Sequence, residues 1–388
     1  MTKNYQQLID VINHSVHQQA YHQKLNDNDF MTLRYNQLSG ICYPILKDQD
    51  QNVMDQFKYE YFLYIKRHEA QMTLIDEIRH LFNEHQIDFV FLKGSFLKTI
   101  YPYSYMRVMG DIDVLIKDVD MDLAHQVLKD HGYRNWSNSI NHDCFAKSKI
   151  NVEIHPKLDS NFDQAYQPLF LNAWEHVHHH LDHEYMLNIE YNLFYQIYHM
   201  IKHLYHSGVG YRSIVDFYIF LKTYQNDFDL EMYQTLYELF PKKDFIDYIL
   251  HVMQSLYKDL NIERFIINRD VSSKPVEPFI NYLFKSGTHG VSKEHQMFIG
   301  QIAHKKKDYE TNMWFKFKFL LSKVFLNLDT MRGMYKYLNK LPFLLPFAWI
   351  QRMFRLLFRK QSRKKLKYLS VDNQEILLVK KLFSDVGI

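Results

Sequence analysis

The sequence predicts an α+β protein, with a small sheet and its helices between residues 87 and 160 and mostly helical regions on both sides. Three observations carry that expectation. Glycine and proline are scarce, at 11 and 9 in 388 residues, and so few breakers in so long a chain argue for a largely helical protein. Apolar residues make up 47% of the chain, enough for a sizeable core. Between residues 87 and 156, by contrast, short β-rich runs alternate with helical ones.

Residues 1–50 read as helices and loops, with a break at Tyr43-Pro44. From about Asn52 to His85 there is no glycine or proline, and Phe57, Tyr61, Ile65, Met72, Ile75, Ile78 and Phe82 recur at helical spacing. That predicts one long amphipathic helix. Ile87 to Leu92 is short, apolar and β-rich, a strand that ends at Gly94. A short helix from Ser95 to about Tyr101 is stopped by Pro102, and a loop fills 102–109. Asp111 to Ile116 is the next strand. Val119 to Asp130 is a helix closed by His131-Gly132. Tyr133 to Trp136 and Asp143 to Lys147 are candidate strands, and Ile150 to His155 is a clearer one, alternating strictly up to Pro156. From about 165 to 260 the pattern is helical and rich in Tyr, His and Leu. More helix follows a proline-containing stretch at Ser272 to Glu277, and residues 308–360 are helical and aromatic. The expected division is therefore 1–86, 87–160, 161–330 and 331–388.

The chemistry concentrates at Asp111-Ile112-Asp113. A strand alternates its side chains, so the two acids share one face. Like charges side by side repel, and burial adds to the cost unless a cation lies between them. Mg²⁺ is a hard cation commonly held by one or two carboxylates plus phosphate oxygens. Along Ile150 to His155, Asn151, Glu153 and His155 share the polar face. If that strand lies beside the first, Glu153 joins the acids as a third carboxylate. Gly94-Ser95 precedes a helix start, where a close backbone approach, free N–H groups and the Ser95 hydroxyl can hold phosphate oxygens. Lys93 and Arg107 are nearby cations. Three carboxylates with a phosphate cradle describe a phosphoryl or nucleotidyl transfer site. Asp-x-Asp alone is weak, because acids are common on surface strands.

This constellation resembles the DNA polymerase beta-like nucleotidyltransferase superfamily. More closely, the chain is similar to the bacterial family of uncharacterised nucleotidyltransferases, type five. The resemblance rests on Leu92-Lys93-Gly94, Tyr101-Pro102, Arg107 and Gly110 to Ile116, on Val152-Glu153-Ile154-His155, and on His199-Met200-Ile201-Lys202-His203 with Gly208, Gly210, Arg212 and Asp216-Phe217. Leu344 to Ile350 with Arg352 also looks similar. It implies a polymerase-beta-like core, a small mixed sheet with helices, and Mg²⁺- or Mn²⁺-dependent transfer of a nucleoside monophosphate from an NTP such as ATP to an acceptor hydroxyl. Carried over, Asp111, Asp113 and Glu153 are the metal and catalytic residues, and Gly94 and Ser95 contact the triphosphate. The acceptor, whether small molecule, saccharide, RNA or protein, is not implied. A non-catalytic nucleotide-binding or membrane-docked adaptor and a toxin-like enzyme acting on tRNA or protein stand as alternatives.

Several other features have plainer readings beside the functional one. His199, Lys202, His203 and His206 share a helix face. With Arg212 they either contact the nucleotide or form an ordinary polar face, and Lys202, His203 and Arg212 are the better candidates on charge. A zinc site at His199 and His203 lacks a third ligand. The run His178-His179-His180 reads as a solvated loop, and His142-Asp143 as a doublet without companions. Net charge is only +3, so the whole molecule does not advertise a polyanion partner. Two cysteines, Cys42 and Cys144, suit a reducing, cytoplasmic compartment. No apolar run reaches ~18 residues, so no membrane-spanning helix is expected. From Gln351 to Lys367 there are eight Lys or Arg and no acid, preceded by the aromatic stretch from Phe343. Such a helix fits peripheral contact with an anionic membrane, contact with nucleic acid, or plain packing with a solvated basic face.

Overall fold

The breaker-free stretch folds as expected into one 34-residue helix, which is the spine of the protein. In the computed structural model the described residues are 5–138, 142–158, 163–288, 318, 321, 322, 324–358 and 373–388. Three helices, α1 (Gln6–Val16), α2 (Asp27–Tyr35) and α3 (Ser39–Cys42), precede that spine, α4 (Gln51–Glu84). Asn26 caps α2 reciprocally with Asp29, satisfying two backbone donors of the first turn.

The sheet unit follows: β1 (Phe89–Phe91), α5 (Lys93–Ile100), β2 (Asp111–Ile116), α6 (Met121–Asp130), β3 (Arg134–Asn138), β4 (Asp143–Lys147) and β5 (Ile150–His155). After α7 (Gln167–Phe170) the chain adds β6 (Val177–Leu181) and β7 (Glu184–Leu187). It then runs through α8 (Ile189–His206), α9 (Arg212–Tyr224), α10 (Leu230–Leu239), α11 (Lys243–Leu256) and α12 (Glu277–Ser286). The seven strands lie in the order β3-β4-β5-β2-β1-β7-β6. β2 pairs parallel with β5, β1 pairs parallel with β7, and the other pairings are antiparallel. The sheet is thus mixed, and the fold is α+β.

Alternation divides the central strands between two cores. Ile112, Val114 and Ile116 of β2 and Phe89 and Phe91 of β1 pack with Ile78, Phe82, Val127 and Leu128 of α4 and α6. Leu115, Val90 and Leu92 face the other way, into a larger core built from α1–α3 and α8–α12. The N-terminal helices are tied into that larger core. Tyr5 stacks on Phe284 at 4.6 Å, and the Asn36 side chain bridges the Phe284 carbonyl and the Tyr211 N–H. The helix Asn373–Val386 contributes Ile376, Val379 and Phe383 to the same core.

Two regions differ from the expectation. Residues 177–187, expected to be helix with a solvated His-rich loop, form the β6–β7 hairpin instead. β7 covers the open edge of β1, and the turn passes through Asp182 with φ at 49°. His178, His179 and His180 are exposed on the outermost strand, where polar side chains suit an edge. The helix Leu345–Phe358 forms, with Phe347, Ile350, Phe354 and Phe358 exposed. Of the basic run, Arg352 and Arg355 are on this helix, while Arg359, Lys360, Arg363, Lys364, Lys365 and Lys367 lie outside the described residues. Among the described residues no helix is long and apolar enough to cross a membrane.

Candidate active site

The parallel pairing of β2 with β5 sets Asp113 directly beside Glu153 and Asp111 beside Asn151. The side chains of Asp111, Asp113, Asn151, Glu153 and His155 therefore occupy one patch on one sheet face. β4 extends the patch, because Cys144 is the cross-strand partner of Glu153.

Charge in this patch is only partly balanced. Lys93, the first residue of α5, has a left-handed backbone (φ 48°) and sets its ammonium 2.7 Å from Asp113 Oδ1. His155 Nε2 lies 3.0 Å from the same oxygen and 3.5 Å from Glu153 Oε2. Burial pushes the Asp113 carboxyl up, but Lys93 and the His155 hydrogen bond outweigh it and hold it well below the usual carboxylate range. Burial likewise pulls the Lys93 ammonium down, and Asp113 more than restores it. For Glu153, burial pushes the carboxyl up, but the His155 hydrogen bond together with the charges of His142 and Lys93 outweighs it, and the net shift is downward. Asp111 goes the other way. Burial raises it, and the charges of Glu153 and Asp113 raise it further, against a weak hydrogen bond from Asn151 Nδ2 at 3.3 Å and the charge of Lys93. Asp111 forms no ion pair, and Glu153 pairs only with the histidines His142 and His155, among the described residues.

Facing the acids is a cavity of about 290 Å³. Its opposite wall comes from α8, α9 and the loop before β2, and it carries Lys202, His203, Arg107 and Arg212. Arg107 Nε donates to Asp216 Oδ1 at 2.6 Å, and Tyr101 donates to the same oxygen at 2.6 Å; all three side chains are buried. Arg212 donates to the Val108 carbonyl at 2.9 Å and to Gln37 of the N-terminal region. Burial, with Arg107 alongside, lowers the Arg212 guanidinium to about 10, which leaves it charged at neutral pH. On α8, the Nε2 atoms of His199 and His203 meet at 3.0 Å, and His203 Nδ1 lies 2.5 Å from Ser207 Oγ.

Of the residues expected at the site, Lys93, Gly94, Asp111, Asp113 and Glu153 line the cavity on the strand side. Arg107, Lys202, His203 and Arg212 line it from the opposite wall. Ser95 does not line it. That side chain is buried and its hydroxyl points to Met109 Sδ at 3.7 Å. Gly94 is placed where a Cβ would come within 2.7 Å of Met109 Cβ, so its small size serves close packing against the loop.

The family model of the uncharacterised nucleotidyltransferases matches residues 27–258, more than half of the chain. The chain belongs to this family. No curated protein and no solved structure matches it. The nucleotidyltransferase match spans both walls of the cavity, from Gln37 beneath Arg212 to α9.

The sequence places His155 on the polar face with Glu153 but assigns it no role, and it identifies neither Asp216 as a partner for Arg107 nor Cys144 as a neighbour of Glu153. For Cys144 a signal existed, since alternation along β4 turns it to that face once β4 pairs with β5. For Asp216 none existed, since 109 residues separate it from Arg107.

Proposed function

We propose that the protein transfers a nucleoside monophosphate from an NTP to an acceptor hydroxyl, releasing pyrophosphate, with Mg²⁺ or Mn²⁺ as cofactor. The observation that carries this reading is the register of β2 against β5. It gathers Asp111, Asp113 and Glu153 on one face beneath a cavity whose far wall is cationic. The donor set fits a hard divalent cation. It offers carboxylate oxygens only partly neutralised, by one lysine and histidine, and Asp111, whose pKa is raised by burial first and then by the charges of Glu153 and Asp113, forms no ion pair among the described residues. When bound, such a cation neutralises charge on the triphosphate and on the cluster.

The chain's own groups divide the remaining work. Lys202 and Arg212 line the cavity, and in this reading they pair with phosphate oxygens entering between the walls. The Arg107–Asp216 pair holds the segment before β2 against α9 and so fixes the cavity's width. In the transfer, the acceptor oxygen bonds to the α-phosphorus, and the bond from that phosphorus to the bridging oxygen breaks. Pyrophosphate carries the charge away, and the hydroxyl proton passes to a carboxylate of the cluster or to water.

The test is incubation with labelled NTPs and cell lysate, followed by identification of whatever becomes labelled. Asp111→Asn and Asp113→Asn should keep the fold and lose at least ~10²–10³-fold in transfer. Full activity in either would sink the reading. One observation favours a second reading, a nucleotide-binding adaptor without catalysis: Lys93 and His155 already satisfy Asp113. Calorimetry separates the two. NTP affinity that is unchanged by Mg²⁺, with no pyrophosphate released in lysate, supports the adaptor.

A further inference from the structure

We propose that His142, Cys144 and Glu153 form a second metal site, for a thiophilic divalent cation such as Zn²⁺, and that filling it withdraws Glu153 from the acidic cluster. Its consequence, inhibition of transfer, rests on the function proposed above; its existence does not.

The site follows from the sheet. Cys144 on β4 and Glu153 on β5 are cross-strand partners, and Asp113 on β2 is the next residue in the same row. His142 and Cys144 are two apart, so alternation turns both toward that face. Asp143 between them points the other way, to His125 Nε2 at 2.8 Å. His142 Nε2 comes within 3.8 Å of Glu153 Oε1. One donor atom each from His142, Cys144 and Glu153 lie within 4.8 Å of one another. Donors around a tetrahedral zinc, with bonds of about 2.0–2.3 Å, are roughly 3.3–3.8 Å apart, so side-chain rotation of about an ångström closes the set. His155 borders it, its ring 5.2 Å from that of His142 and its Nε2 3.5 Å from Glu153 Oε2. It or a water completes the fourth position.

Donor chemistry separates this site from its neighbour. Asp111 and Asp113 offer oxygen alone, which suits Mg²⁺, whereas a thiolate and an imidazole select Zn²⁺ over Mg²⁺. Ligation by Cys144 displaces its thiol proton, and the cation takes up the surplus acid charge nearby. Glu153 is the one residue both sites need, so occupancy of one weakens the other.

Cobalt titration of the metal-stripped full chain, reduced with a phosphine, tests the site without reference to catalysis. A single equivalent of Co²⁺ should give a sulfur-to-cobalt charge-transfer band that Zn²⁺ abolishes. Cys144→Ser should remove the band and weaken Zn²⁺ at least ~100-fold, the upper end of what loss of an outer-shell partner costs. Cys42→Ser should leave it, since Cys42 is fully buried in the helical core. Circular dichroism checks that each variant folds. No band, or a band that survives Cys144→Ser, overturns the site. Glu153→Gln should also weaken Zn²⁺, and unchanged affinity there overturns the sharing. A band in a protein that transfers no nucleotide would leave the site standing and remove the proposed function instead.

Discussion

The two walls of the cavity hold their charges by different means. On the acidic wall, backbone register does the work: three adjacent strands bring Asp111, Asp113, Glu153 and Cys144 together whatever their side chains prefer. On the cationic wall no ladder helps. Arg107 comes from a loop, Lys202 and Arg212 from two helices, and each arginine is aimed by a residue distant in sequence, Asp216 for Arg107 and Gln37 for Arg212. A wall set by register tolerates loss of one side chain, whereas a wall set by buried pairs depends on each partner.

The sharpest way to break that contrast is Asp216→Ala. It leaves the buried Arg107 guanidinium with the Val108 carbonyl but without its carboxylate, and removing one member of a buried pair costs about 3–5 kcal/mol. Thermal and urea unfolding should show a loss of that size. Asp113→Asn should cost much less, because the amide keeps an oxygen that can accept from Lys93. Equal losses would erase the distinction between the walls.

The same distinction explains what the sequence disclosed. β2 and β5 were legible to the residue, because alternation of apolar and polar side chains is a local signal and the acids interrupt it. The long α4 and the helical bulk were legible from the absence of breakers. The β6–β7 hairpin was not, because His178 to His180 carry no apolar alternation and the strand exists by virtue of the open edge of β1. Nor was the insertion of α1–α3 into the core of α8–α12, which rests on contacts such as Tyr5 with Phe284. Within the site, the sequence pointed to Ser95 as a phosphate ligand, whereas the structure directs its hydroxyl to Met109. The turn into α5 is made by Lys93, whose positive φ no spacing announced.

The next effect belongs to the cationic wall alone. Arg212→Gln keeps a donor for Val108 but removes the charge from the cavity. A hydrogen bond to a charged group is worth about 1.5–3 kcal/mol, so KM for the NTP should rise roughly 10- to 100-fold with a smaller change in kcat. A fall in kcat at constant KM would move Arg212 from binding to the chemical step.

Gly94→Ala probes the seam between the walls. A Cβ there meets Met109 Cβ at 2.7 Å, and Met109 also receives the Ser95 hydroxyl and, at its carbonyl, Gln71 Nε2 at 2.9 Å. Overpacking of this kind costs about 1–3 kcal/mol. Gly110→Ala, with nothing among the described residues within 4 Å of its new Cβ, should stay within about 0.5 kcal/mol of wild type. Unfolding midpoints that fail to separate the two would show that Met109 yields freely.

The smallest effect sets two lysines of α5 against each other. Lys93 on the acidic wall has its pKa raised by Asp113, after burial is overcome. Its pairing is fully present below the unfolded value of about 10.4, so it adds no slope to stability across neutral pH. Lys98 is buried between His68 Nδ1 at 3.1 Å and the Ser104 carbonyl at 3.2 Å. Burial first, then the charges of Arg107 and Arg67, lower it to about 7. The unfolded chain therefore keeps a proton that the folded chain sheds above that pH, and stability should rise between about pH 7 and about pH 10. Lys98→Met should flatten that rise and Lys93→Met should leave it, as read from urea midpoints across the range. If the slope survives Lys98→Met, the ammonium remains charged in the fold, and its hydrogen bonds to Ser104 and His68 outweigh burial as they do for Lys93 beside Asp113.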